Sequence, residues 1–310
     1  MPPPCSLHRS KPDRRLHRSS RGEHRRLSRR AHHAAELASG HSMRIAACTL
    51  ALMLSAAAVP AVARDGRDFC ADRPGKGTPP CVLDQGRLQM ELGLFDVSRQ
   101  TQGDTRTQTW DAGDLLVRYG LDGLTEVQLG LPVWNRQQVT DRATGARDTA
   151  QGVGDLTLGL RRSLANPDGS GLSVALAGFV AAPTGARGIR ADGFEGGVLL
   201  PVSVPLNPDW SLSLTPRVEW VSDADGDGRH AAYSMVAGLG RDIGQWNLGA
   251  EIWISRDDDP DQATTQSTLD LTAVWSPPSL PDAQLDFGVN LGLNDDSPDV
   301  AFGIGLARRF

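Results

Sequence analysis

Val300–Phe310, VAFGIGLARRF, decides how the rest of the chain is read. Val300, Phe302, Ile304, Leu306 and Phe310 share one parity; Ala301, Gly303, Gly305, Ala307 and Arg309 share the other. A period of two is the mark of a β-strand, whose successive side chains point to opposite faces. One face here is bulky and apolar, and the other is small and ends in an arginine. A core strand of a β-sandwich would show such alternation. So would a strand of a membrane barrel, with lipid on its apolar side and a lumen on the other.

The terminal Phe310, preceded by apolar residues at alternate positions, resembles the signal read by the bacterial barrel-assembly machinery. That machinery and outer-membrane lipid are therefore the expected partners.

Upstream, apolar alternation recurs eleven times, at 86–98, 105–119, 123–134, 151–163, 171–182, 194–204, 209–221, 230–242, 245–255, 264–275 and 283–293. The stretch 209–221 shows the pattern well. Trp210, Leu212, Leu214, Val218 and Trp220 oppose Ser211, Ser213, Thr215, Arg217 and Glu219. No 3.6-residue helical period competes with it. Twelve strands is an even number, as single-chain bacterial barrels have.

The connections sort themselves. With the N-terminus at the periplasmic side, outer connections such as 135–150, 183–193 and 256–263 are long or acidic. Periplasmic ones such as 121–122 and 243–244 are short turns. Tyr119, Trp210, Trp246, Trp275 and Phe310 fall at periplasmic strand ends, and Trp110, Trp134, Trp220 and Tyr233 at or near outer ends. Aromatic residues favour the headgroup level. A sandwich would need a second packed sheet and would not sort loops and aromatics this way. The expected fold class is all-β: an antiparallel transmembrane β-barrel of about 12 strands over 86–310, in the bacterial outer membrane.

The N-terminus supports export. Residues 1–42 hold ten Lys and Arg and six of the seven histidines, with no apolar period. Met43-Arg44, the apolar run Ile45–Val62 and Ala61-Val62-Ala63 then form a secretory signal peptide, 43–63. Residues 1–42 are accordingly expected to be an over-extended start. Cleavage after Ala63 leaves 247 residues with 21 basic and 34 acidic side chains, a net charge of −13. Such a chain is a poor ligand for nucleic acid. Residues 64–85 form an expected periplasmic N-terminal segment. Its Cys70 and Cys81, the two cysteines left after cleavage, are expected to form a disulfide in an oxidising compartment. In the entropic account that bridge contributes about 3 kcal/mol.

Several motifs resemble a known family. They are Asp72-Arg73-Pro74-Gly75, Gly86–Gly93, Leu115–Leu121, Glu126–Leu129, Gly152–Arg161, Pro183-Thr184-Gly185 and the run at 200–206. Together they resemble a family of outer-membrane transporters named for the meta-cleavage pathway of phenol degradation. The resemblance implies a barrel assigned to transport. Its name alone points towards hydrophobic or aromatic solutes.

Parity nominates the lumen: Glu91, Arg118, Glu126, Asp155, Arg161, Glu195, Arg217, Glu219, Glu251, Asp270, Asp286 and Arg309. Buried unpaired charge is expensive, so these groups must pair or meet water. Asp155 is expected beside Arg118 or Arg161. The groups line a conduit for small solutes, or they form a salt-bridged plug in a structural barrel whose outer loops carry the function.

No enzyme and no cofactor are expected. His230 is the one histidine of the exported chain, and Ser234 lies on the lumen parity rather than at a lipid-face site. Asp223, Asp225 and Asp227 match the start of a calcium loop, but Ser234 stands where the bidentate acid belongs. They read better as solvated charge, so no metal is expected.

Overall fold

The structure is a computed structural model describing residues 66–310. The expected signal peptide and residues 1–42 lie outside the described residues. Among those residues every regular element is a strand. In chain order they are β1 (Leu88–Gln102), β2 (Thr105–Gly120), β3 (Thr125–Asp141), β4 (Arg147–Gly152), β5 (Leu156–Ala165), β6 (Ser173–Ala182) and β7 (Glu195–Leu199). They continue with β8 (Val202–Pro205), β9 (Trp210–Ser222), β10 (Arg229–Ile243), β11 (Trp246–Asp257), β12 (Thr264–Trp275), β13 (Ala283–Gly292) and β14 (Val300–Arg309).

Each strand pairs antiparallel with its neighbour, and β14 returns to β1 with Gln89 opposite Arg309 and Arg99 opposite Val300. The Phe310 amide donates to the Leu88 carbonyl at 2.7 Å and extends the seam. The sheet is therefore a closed barrel, the only way a sheet can leave no bare edge in lipid. Its fourteen strands make twelve staves, because β4 with β5 and β7 with β8 each form one. The first break falls at 153–155. The second falls at Leu200 and Pro201, where proline has no N–H to give the ladder.

Burial is inside out. Arg118, Glu91, Glu126 and Asp286 are fully buried, while Leu158 is 60% exposed, Val198 55% and Ile254 50%. A water-soluble protein hides its aliphatic side chains and shows its charges. Here an aliphatic belt faces outward and the charges face inward, as lipid outside and a polar interior require. Trp246 and Trp275 sit side by side near the end that holds Phe310, their rings 6.5 Å apart.

Three details depart from the sequence reading. β3 runs to Asp141 and forms a hairpin with β4, where a loop was expected at 135–150. That ribbon has polar residues on both faces, so apolar alternation does not reveal it. At Leu94 the β1–β14 register slips between Gly93 and Phe95, a β-bulge. The bulge reverses parity, so Phe95 turns outward and Asp96 turns in toward Arg73. Finally, the expected periplasmic segment enters the barrel.

Candidate functional site

Residues 70–83 cross the lumen as irregular chain, and the Cys70–Cys81 disulfide closes a loop within them. Irregular backbone at membrane depth has no ladder to satisfy its amides and carbonyls, so side chains of the wall must do it. Glu91 Oε2 accepts from the amides of Asp72 at 2.9 Å and Arg73 at 3.2 Å. Glu126 Oε2 accepts from the Leu83 amide at 2.9 Å. Glu251 Oε2 accepts from the amides of Lys76 at 2.9 Å and Gly77 at 3.2 Å. Thr215 Oγ1 accepts from the Thr78 amide at 3.1 Å and lies 3.3 Å from its carbonyl oxygen. Arg118 Nη1 donates to the Cys70 carbonyl and Arg161 Nη1 to the Cys81 carbonyl.

The segment's own charges complete the network. Asp72 lies 3.3 Å from Arg118 and 2.5 Å from Arg161. Arg118 also meets Glu91 at 3.1 Å and Glu126 at 2.9 Å, and Arg161 lies 3.6 Å from Glu126. Two guanidinium groups and three carboxylates thus pair within one buried cluster, with one carboxylate more than the guanidinium groups balance. Arg73 reaches Asp286 at 3.3 Å and Asp96 at 3.5 Å. Lys76 reaches Asp270 at 3.4 Å and stands 4.3 Å above the Trp253 ring. The small face of β14 has a purpose here: a methyl group on Gly305 would collide with the Arg73 guanidinium.

The remaining nominated residues do other things. Arg217 pairs with Glu219 at 2.6 Å and covers Phe179. Glu195 accepts from the Ser222 amide near the opposite rim from Phe310, and Arg309 pairs with Asp282 beside Phe310. Asp155 has no ion pair with Arg118 or Arg161, contrary to expectation. It sits in the break between β4 and β5, where its carboxylate accepts from the amides of Gly185 and Ala191 and holds the 183–194 connection. The calcium-loop pattern also dissolves. Asp225 accepts from the Asp227 amide, Asp223 turns to His230, and Ser234 lies within β10 opposite Arg217 and Ser255.

Alternation does not reach Asp72, Arg73 and Lys76, which lie in irregular chain before the first strand, and the bulge reverses the parity of Asp96. Trp253, flanked by Ile252 and Ile254, could have been found by alternation alone.

Three cavities flank the segment. One of about 430 Å³ lies towards the Phe310 end of the barrel and is walled partly by Ser203, Ser211, Ser213 and Thr272. Another of about 290 Å³, on the outer side, holds Lys76, Arg217, Ser234 and Trp253. The third, about 220 Å³, lies by Asp96 and Asp111. An apolar pocket of about 360 Å³ opens on the lipid face at the broken stave, between Leu176, Val198, Leu200 and Tyr233.

The sequence pattern of the family described as "Putative MetA-pathway of phenol degradation" matches residues 71–310. The chain belongs to this family. Among solved structures, an outer membrane channel from Pseudomonas putida F1 is similar at 16% identity, covering 77% of this chain and 99% of that one, with a TM-score of 0.62. The β domain of a Bordetella autotransporter matches at 13% identity over 73% of this chain and all of that one, with a TM-score of 0.49. Proteins of curated function give no match. The likeness to the Pseudomonas channel is one of fold. Together with the closed sheet and its apolar belt, it makes this member of the family an outer-membrane β-barrel.

Proposed function

We propose that the barrel passes small solutes across the outer membrane, and that residues 72–78 partition its lumen. One observation carries this reading: cavities on opposite sides share parts of the segment as their wall. Thr78 borders both the 430 Å³ and the 290 Å³ cavities, and Arg73 and Pro74 border both the 430 Å³ and the 220 Å³ ones. Moving a few residues would join them. Lys76 and Thr78 are held to β9, β11 and β12 by a handful of hydrogen bonds and one ion pair. The Asp72 end is held by the buried five-charge cluster, so the cluster reads as the hinge and Lys76–Thr78 as the moving part.

The solute class follows from the lining. Hydroxyl groups and Trp253 suit a small aromatic molecule with a polar group, in keeping with the family's description. The lipid-face pocket shares Leu199, Arg217 and Ser234 with the 290 Å³ cavity, so the paired strands β7, β9 and β10 are the wall between them. We assign no catalytic step to the chain. The assembly machinery, reading Phe310, and lipid complete the proposed partners.

A sealed structural barrel is the second reading, favoured by the completeness of the buried charge cluster. Planar-bilayer recording separates the two. A gated passage predicts brief openings in the native protein and longer ones in Glu251→Gln combined with Thr215→Ala, the two wall side chains that hold the amides of Lys76, Gly77 and Thr78. Silence in both, with folded barrels, would leave the sealed reading standing.

A further inference from the structure

At the outer end, two connections lean on one histidine. The residues 223–228 join β9 to β10, and 258–263 join β11 to β12. His230, at the start of β10, is 8% exposed. Its Nδ1 lies 2.7 Å from Asp223 Oδ1 and 3.8 Å from Asp259 Oδ2. One ligand atom from each of these three residues falls within 4.8 Å of the others. Nε2 is buried without a well-directed hydrogen bond, although Asp257 Oδ1 is 2.5 Å away. The backbone already joins the two loops here, since the Ala224 amide donates to Asp259 Oδ2 at 2.8 Å.

We propose that Asp223, His230 and Asp259 form a binding site for a divalent transition-metal ion, with zinc as the type case, that clasps the two outer loops. Two carboxylates and a neutral imidazole carry a charge of −2, which a divalent cation cancels. Metal–ligand bonds of about 2.0–2.2 Å hold tetrahedral ligand atoms about 3.3–3.6 Å apart, so the Nδ1–Asp223 contact must open while the Nδ1–Asp259 spacing closes a little. An imidazole nitrogen in the set favours zinc, nickel or copper over magnesium and calcium, which prefer all-oxygen shells. Asp257, 43% exposed on its side chain, stands beside the site as a further carboxylate. None of the three residues contacts the lumen segment, and the proposal does not rest on solute passage.

The alternative occupant is a proton, which would turn His230 into an imidazolium between Asp223 and Asp257. The test uses the folded barrel in detergent, stripped with chelator and then titrated with zinc chloride at pH 7.5. We expect one equivalent to bind, and the affinity to fall at least tenfold in His230→Ala and in Asp259→Asn. Heat-modifiable migration confirms that each variant is folded, and Asp223→Asn supplies a third variant. Zinc should also slow protease cleavage within 223–228 and 258–263 in the native protein, but not in the variants. Absence of saturable zinc binding overturns the proposal in favour of the proton. Equal zinc binding in native protein and His230→Ala, or calcium binding as tightly as zinc, overturns it in favour of a purely carboxylate surface.

Discussion

Arg118 grips Glu126 with two parallel hydrogen bonds, Nε to Oε1 at 2.9 Å and Nη2 to Oε2 at 3.0 Å. The pair is fully buried and shares Asp72 and Glu91. Removing one member of such a cluster strands the rest, at a cost of about 3–5 kcal/mol. Arg118→Met should therefore lower urea stability by that order. Adding Glu126→Gln to the same chain should recover part of the loss. A single variant as stable as the native barrel would show that water reaches the cluster.

Leu158 and Asp155 test the wall. Leu158 faces lipid at 60% exposure. Placing arginine there should cost about 2–4 kcal/mol if the position lies near the bilayer midplane. Folding into liposomes measures it, and an unaffected Leu158→Arg would mean that the register of β5 is misread. Asp155→Asn should leave barrel stability nearly unchanged and expose the 183–194 connection to protease, because its carboxylate serves only the amides of Gly185 and Ala191.

Gly305 reports on the lumen segment. Gly305→Val would drive Arg73 off β14 and weaken its hold on Asp286. The expected outcome is a folded barrel with increased open probability in planar bilayers. Unchanged conductance would show that Arg73 does not help to close the lumen.

The turn between β2 and β3 gives a pH dependence. The Leu124 amide, then the hydroxyl and amide of Thr125, bond to the Asp122 carboxylate and hold it below the usual carboxylate range. A depressed folded value means the turn is fully supported above the unfolded aspartate value of about 3.9. That support is lost as pH falls through the lower folded value. Protection of the Thr125 amide from exchange should follow that course, and Asp122→Asn should abolish the dependence.

The sheet could be read from sequence because lipid imposes a period of two on every stave. Trp210 to Trp220 shows it without interruption, and the pairing of β9 with β10 follows that register residue by residue. The site was less legible. Parity nominated Glu91, Arg118, Glu126, Glu251, Asp270 and Asp286, yet it could not show that their partners were Asp72, Arg73 and Lys76. Those residues lie in irregular chain, and nothing in a local pattern says where such chain runs. One bulge at Leu94 was enough to hide Asp96, since parity arguments hold only while the pleat is unbroken.

The bridge between Cys70 and Cys81 leaves six residues before Leu88, where the wall begins. Fully extended, that leash spans about 20 Å. A released lumen segment therefore stays at the mouth it came from, at an effective concentration in the millimolar range. On the proposed gating, reclosing would be a first-order event, indifferent to how many barrels the membrane holds.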